Sequence, residues 1–182
     1  NLSQRFDMLV LETLFSTLHR HPGQHFSVNL LPYTLMRRDS AAQIIALFRR
    51  YNLHAEAITL EITEEQAFCD EQISLHNIQQ LRDFGCAIAI DDFGTGYANY
   101  ERLKRLQADI VKIDGCFVRD VETDPLDAII IKSIIEMARV KNLTVVAEYV
   151  ETQEQRARLL ALGVDYLQGY LIGKPRPLEE LR

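Results

Sequence analysis

Asp91 and Asp92 stand side by side at the end of an apolar run, Ile88-Ala89-Ile90, and the glycine-punctuated stretch Phe93-Gly94-Thr95-Gly96-Tyr97 follows at once. A buried parallel strand reads as a continuous apolar run because both of its faces are covered. The segment Cys86 to Ile90 therefore belongs in a core and delivers two carboxylates to its rim. Like charges on consecutive residues beside a low-dielectric interior repel each other, and a divalent cation that compensates both relieves the cost. A helix N-cap is the competing role for such aspartates. The same placement recurs elsewhere in the chain. Asn29, Glu61, Lys112 with Asp114, Glu148 and Gln168 each fall at or near the end of another apolar run. Taken singly, Asn29 and Gln168 would be turn or cap residues, Glu61 and Glu148 solvated carboxylates, and Lys112 a surface lysine. Their joint placement at successive run ends points to one polar site.

The elements that must position these residues alternate. Phe6, Leu9, Val10, Leu14 and Leu18 recur at helical spacing until Pro22-Gly23 stops the pattern. His25 to Leu30 reads as a short strand, and a helix follows with Ile44, Ile45 and Phe48 on one face. Ala57 to Ile62 is a strand leading to Thr63-Glu64, and a helix from about Ser74 to Phe84 ends at Gly85, the expected left-handed cap. A helical region spans Tyr97 to Leu106, and Asp109 to Asp114 is a strand. Asp124-Pro125 starts a helix with Asp as N-cap and Pro at the first position, its apolar face being Leu126, Ile130, Ile134 and Ala138. Thr144 to Glu148 is a strand, Thr152 to Gln155 reads as a capping box for a helix ending at Gly163, and Asp165 to Gly169 is a last short strand. Strand and helix alternate without a Pro- or Ser-rich linker, so the expected class is α/β with a mostly parallel sheet. In a (β/α)8 barrel the strand ends converge on one face, where active sites are built from several strands. Six strands do not close such a barrel, and about two more are expected before Asn1.

Composition narrows the partners. The chain has 182 residues, 47% hydrophobic and 25% charged, with a net charge of -6. That is one domain able to bury roughly 70% of its unfolded surface. The acidic balance and the lack of a Lys/Arg-rich block argue against binding a DNA or RNA duplex by its backbone. No apolar run is long enough to cross a bilayer and no signal-peptide pattern opens the sequence, so no membrane contact by this domain is expected. Cys69, Cys86 and Cys116 are odd in number and lack metal spacing, which favours a reducing cytoplasm, with Cys86 in the core. His19, His21, His25, His54 and His76 are scattered without a ligand pattern.

Six motifs in order, Ser27-Val28-Asn29-Leu30, Leu60-Glu61-Ile62-Thr63-Glu64, Asp91-Asp92-Phe93-Gly94-Thr95-Gly96-Tyr97, Val111-Lys112-Ile113-Asp114, Val146-Ala147-Glu148-Tyr149-Val150-Glu151 and Tyr166-Leu167-Gln168-Gly169-Tyr170, carry a family likeness. Together they resemble the EAL-domain phosphodiesterases of bacterial cyclic di-GMP signalling, and the resemblance covers essentially all of residues 1–182. It implies a TIM-like barrel whose N-terminal hairpin, bearing the Glu-Ala-Leu signature, precedes Asn1. It also implies metal-dependent hydrolysis of cyclic di-GMP to linear pGpG with two Mg2+ or Mn2+ ions, whose oxygen-only ligands suit such cations.

By the same resemblance Asn29, Glu61 and Asp91 hold one ion with the signature glutamate, Asp91 bridges to a second ion that Asp92 also binds, and Glu148 orients the attacking water and supports Lys112. Lys112 is the proposed base or water-positioning residue. A lysine among carboxylates is held protonated, so positioning is the expected role. Gln168 and Asp114 would make polar contacts near the nucleotide, and Glu64 would anchor the loop Phe93 to Tyr97. The family further implies a homodimer through the segment after that loop, around Tyr100, Leu103 and Leu106, and a cytoplasmic domain whose parent protein can be anchored in the inner membrane.

Three departures from the family pattern stand out. Leu31 replaces a serine, Ala98-Asn99-Tyr100 replaces a serine-rich stretch, and Tyr149 replaces the glycine after Glu148, where a ring could crowd the site or occupy backbone space meant for glycine. None removes a ligand. The ligands within residues 1–182 are all present, which favours an enzyme, while the signature glutamate expected before Asn1 decides between enzyme and receptor. The alternatives are an inactive EAL domain that serves as a cyclic di-GMP receptor and one that serves as a protein-interaction module.

Overall fold

The structure, a computed structural model, describes residues 2–18, 20–21, 23–31, 33–63, 71–95 and 107–180. The chain forms two compact units, Asn1–Asp91 with Gly96–Ile110, and Asp92–Thr95 with Val111–Arg182.

The first unit contains helix α1 (Leu2–Leu18), strand β1 (Phe26–Asn29), helix α2 (Ser40–Tyr51), strand β2 (Ile58–Thr63), helix α3 (Glu71–Phe84) and strand β3 (Ala87–Phe93) up to Asp91. β1 pairs with β2, and β2 with β3, all parallel. Such pairing requires both faces covered, and Leu60, Ile62, Ile88 and Ile90 are accordingly almost wholly buried. Phe15 of α1 packs on Phe48 of α2 at 4.5 Å between ring centroids, and Phe48 on Phe84 of α3 at 5.5 Å. Tilted pairs of this kind add to the roughly 1.5–3 kcal/mol gained by burying each ring. Gly85 ends α3 at φ 110, as its cap position requires.

The buried stripe of α1 differs from the expected one. Asp7, Leu11, Phe15 and Leu18 face inward, whereas Phe6 and Leu9 are 57% and 62% exposed. The helix carries apolar residues on more than one side, so spacing alone does not choose the face. Asp7 is drawn in because its Oδ2 accepts from the Leu31 amide at 2.7 Å and from the Thr34 hydroxyl. Thr34 in turn accepts from Ser40 through its carbonyl, and Asn77 of α3 donates to the carbonyls of Leu35 and Arg37. These bonds fasten the connection that leaves Asn29.

Burial pushes the Asp7 carboxyl above the ordinary aspartate range, with the Thr34 and Leu31 hydrogen bonds opposing it. A raised carboxylate pKa means the folded state holds its proton longer than the unfolded one, so this residue's contribution falls as pH rises through the folded pKa and is unfavourable at neutrality. Asp7→Asn keeps one oxygen able to accept both donors. It is expected to be as stable as the parent or more so at pH 7, and to lack that pH step. Asp7→Ala orphans both donors and should cost about 1–3 kcal/mol. Urea unfolding from pH 4 to 8 reads both outcomes.

The second unit begins with the end of β3 and contains most of β4 (Ile110–Ile113), then helix α4 (Gly115–Arg119), helix α5 (Pro125–Val140), strand β5 (Thr144–Ala147), helix α6 (Gln153–Leu162) and strand β6 (Tyr166–Leu167). β5 and β6 are parallel, and the Glu148 amide donates to the Ile113 carbonyl at the end of β4. Asp124 caps α5 by accepting from the Leu126 amide, with Pro125 at the start. Its buried stripe is Ala128, Ile131, Ile134, Ile135 and Ala138 rather than one that includes Leu126 and Ile130. Leu126 is exposed and Ile130 half-buried, because isoleucines at 129, 130 and 131 leave two stripes in competition. Thr152 and Gln155 form the expected capping box, and Gly163 closes α6 at φ 101. The short helix α4 was not foreseen.

Strand starts are fastened by side chains. Asp109 accepts from the Ile88 amide at 2.9 Å and is held by Arg82 at 2.8 Å, while in the other unit Asp165 accepts from the Val145 amide at 2.8 Å. Each aspartate also donates its own amide to the carbonyl of the same partner residue. Cys86 is buried, its thiol pushed up to about 12 by burial. Cys116 is exposed, and burial together with nearby Asp114 raises it to about 11. Neither is a thiolate at neutral pH. Cys69, Glu64 and all but the first residues of the Phe93-to-Leu106 stretch lie outside the described residues. No helix among the described residues is long and apolar enough to cross a membrane.

Candidate active site

Register sets the first group of site residues. Asn29 on β1 is the direct partner of Glu61 on β2, Glu61 of Ala89 on β3, and Thr63 of Asp91. Partners in a parallel ladder point to the same face, and so do residues two apart on a strand. Asn29, Glu61 and Asp91 therefore share one face at the carboxyl ends of their strands. Glu61 is buried there, which puts a carboxylate into the wall of the sheet rather than into solvent.

Asp92 sits at φ 55, a left-handed conformation that aspartate tolerates better than most residues. That conformation, inside β3, breaks the regular alternation of the strand at Asp92. Within the second unit Asp92 and Glu148 offer carboxylate oxygens within 4.8 Å of each other. Oxygens on opposite sides of a hard divalent ion, each at roughly 2.1–2.5 Å, stand about 4–5 Å apart, so this donor pair fits such a cation. Lys112 is buried at the end of β4, and its Nζ lies 2.9 Å from Glu148 Oε1, itself buried just past β5. A buried charge pair of this quality fixes both side chains. No histidine among the described residues joins a group able to hold a metal ion.

Asp114 follows β4 and caps α4 by accepting from the Cys116 amide at 2.7 Å. Burial alone would raise its carboxyl, yet hydrogen bonds from Cys116 and from the Gly115 amide, with a side-chain contact to Asp92, hold it below the ordinary range. Its geometry thus serves the helix start. Gln168 follows β6 and is exposed. With Glu148, Tyr149, Glu151, Gly169 and Tyr170 it lines a pocket of about 340 Å³. Tyr149 holds φ 55, so the expectation of a glycine-like backbone there is met by a tyrosine under strain. Its side chain occupies the space over Gly115, where an added Cβ would meet the Tyr149 ring at 2.5 Å. Tyr170 and Glu151 as pocket walls were not picked out from the sequence, although both fall inside the quoted motifs. Glu64 lies outside the described residues.

This fold is α/β, of the TIM-barrel type found in EAL domains, and the chain belongs to the EAL domain family, whose sequence model matches residues 1–175. Among curated relatives it is 60% identical, over 99% of its length and 25% of the other's, to the probable cyclic di-GMP phosphodiesterase PdeA of Escherichia coli strain K12. The structure of the PaMucR phosphodiesterase in complex with c-di-GMP superposes with a TM-score of 0.92 at 35% identity, covering 100% of this chain and 81% of that one. A manganese and cyclic di-GMP complex of Klebsiella pneumoniae BlrP1 gives a TM-score of 0.84 at 30% identity, over 92% and 44%. The chain spans about a quarter of the length of PdeA and of a second Escherichia coli relative, the cyclic di-GMP phosphodiesterase PdeF.

Proposed function

We propose that residues 1–182 act as one EAL domain that hydrolyses cyclic di-GMP to linear pGpG with Mg2+ or Mn2+. The observation that carries this reading is the buried Lys112–Glu148 pair with Asp92 beside Glu148, a cation-binding and water-positioning arrangement that a mere binding module does not need. Asn29, Glu61 and Asp91 would hold one ion, and Asp91, Asp92 and Glu148 the other. When bound, such ions supply Lewis acidity toward the phosphoryl oxygens and the attacking water.

The chain's own residues do the rest. Glu148 accepts from Lys112 and thereby keeps the ammonium group in place. Lys112, paired with that carboxylate, would orient the water by donating to it. Asp114, at the start of α4, and Gln168, on the wall of the pocket, would make polar contacts near the nucleotide. Glu64 as anchor of the loop after Asp92, and a second copy packed on the segment beyond it, are supported by the family likeness and belong to the same proposal.

The test is turnover of cyclic di-GMP by the full-length protein, with the product resolved by chromatography. Hydrolysis should vanish in excess chelator and return with Mg2+ or Mn2+. Undiminished hydrolysis in chelator would overturn the reading, and tight binding without turnover would move the protein to the receptor class. Sedimentation across a concentration range reads the dimer.

A further inference from the structure

Resting on that reading, we propose that Tyr149 is the stacking platform for one guanine base of the dinucleotide, at the pocket formed by the ends of β5 and β6. The pocket, at about 340 Å³, is at the small end of ligand sites and suits a part of the ligand rather than the whole. Three observations select Tyr149 within it.

The first is strain without structural return. An L-residue at φ 55 is disfavoured, yet Tyr149 is 66% exposed and contributes little to the core. Residues held in such conformations by their surroundings cluster at ligand sites. Here the surroundings are explicit. The Glu148 amide is bound to Ile113, the Val150 amide donates to Gln168, and the Val150 carbonyl accepts from Leu171, so the backbone on both sides of Tyr149 is fixed.

The second is the seat. The base of the ring lies over Gly115, whose missing side chain leaves just enough room, because a Cβ there would come within 2.5–2.8 Å of Tyr149 Cδ2, Cγ and Cβ. The ring is thus braced at its base while the residue stays largely exposed. The third concerns the rival aromatic wall. Tyr170 is also exposed, but Lys174 Nζ stands 5.4 Å from its ring centroid, so one of its faces is already taken by a cation. Among the described residues no cation lies over the Tyr149 ring, and any nucleobase offers a complementary π face.

The experiment uses full-length protein, cyclic di-GMP and Ca2+, with binding read by calorimetry. Tyr149→Phe should bind as the parent does. Tyr149→Leu, which keeps the bulk and loses the π face, should weaken binding at least tenfold. So should Tyr149→Gly, while melting no lower than the parent because the strain is gone. Gly115→Ala, which displaces the ring without altering it, should weaken binding in the same direction. Residues 1–182 contain no tryptophan, so Tyr149→Trp adds a reporter to this domain, and cyclic di-GMP should quench the fluorescence that this variant gains over the parent. If the parent binds cyclic di-GMP and Tyr149→Leu and Tyr149→Gly bind equally well, the platform is refuted and the phosphodiesterase reading stands. If the parent does not bind cyclic di-GMP at all, that reading fails and the platform with it.

Discussion

Asp91→Asn is expected to lower cyclic di-GMP turnover by about a thousandfold or more with the fold intact. The substitution keeps volume and hydrogen-bonding shape and removes one negative charge. Asp91 shares its face with Asn29 and Glu61 and is the immediate neighbour of Asp92, which faces Glu148. It is therefore the position through which both proposed cation sites would feel a lost charge. Steady-state turnover at saturating Mg2+, with circular dichroism as the control for folding, gives the result. Activity within tenfold of the parent would remove Asp91 from the ligand set.

The second large effect concerns stability as well as rate. Lys112 and Glu148 are both buried, and their charges meet at 2.9 Å. Removing one partner leaves the other charge in a low-dielectric site without this counterion, which typically costs about 3–5 kcal/mol. Lys112→Met and Glu148→Gln should each shift the urea midpoint downward and lose turnover. The double variant Lys112→Met with Glu148→Leu should recover most of the lost stability, because two apolar groups of similar volume replace the pair, and should stay inactive. Recovery of turnover in the double variant would contradict a role for the pair in hydrolysis. Full stability in the single variants would mean that water reaches the pair.

Much of this was legible in the sequence, and the reasons are specific. Buried parallel strands announce themselves as apolar runs, so all six were located, with no end displaced by more than three residues. β3 runs on through Asp91 and Asp92 to Phe93, and β6 shrinks to Tyr166–Leu167. The capping box at Thr152 and the start at Asp124-Pro125 are local chemistry and came through unchanged. Helix faces did not. α1 and α5 carry apolar residues on two sides, and only tertiary packing decides between them. A buried Asp7 is invisible to hydrophobic spacing because its reason for being inside is a pair of donors more than twenty residues away. At the site, carboxylates at successive strand ends were readable as a set. The Lys112–Glu148 contact and the seating of Tyr149 on Gly115 join different strand ends and could not be read from either segment alone.

The aspartates at the strand starts bear on how the chain reaches this fold. Asp109 ties back to Ile88 across 21 residues, and Asp165 to Val145 across 20. Parallel sheets are slow to form because partner strands are far apart along the chain, and the loop-closure entropy must be lost before any contact compensates for it. A two-way hydrogen-bond clasp between the starts of consecutive strands shortens that wait to the length of a single strand–helix repeat. Each repeat can then close as it leaves the ribosome, before the distant carboxyl ends have met. Within each unit the polar strand ends then stand on a repeat already tied at its base.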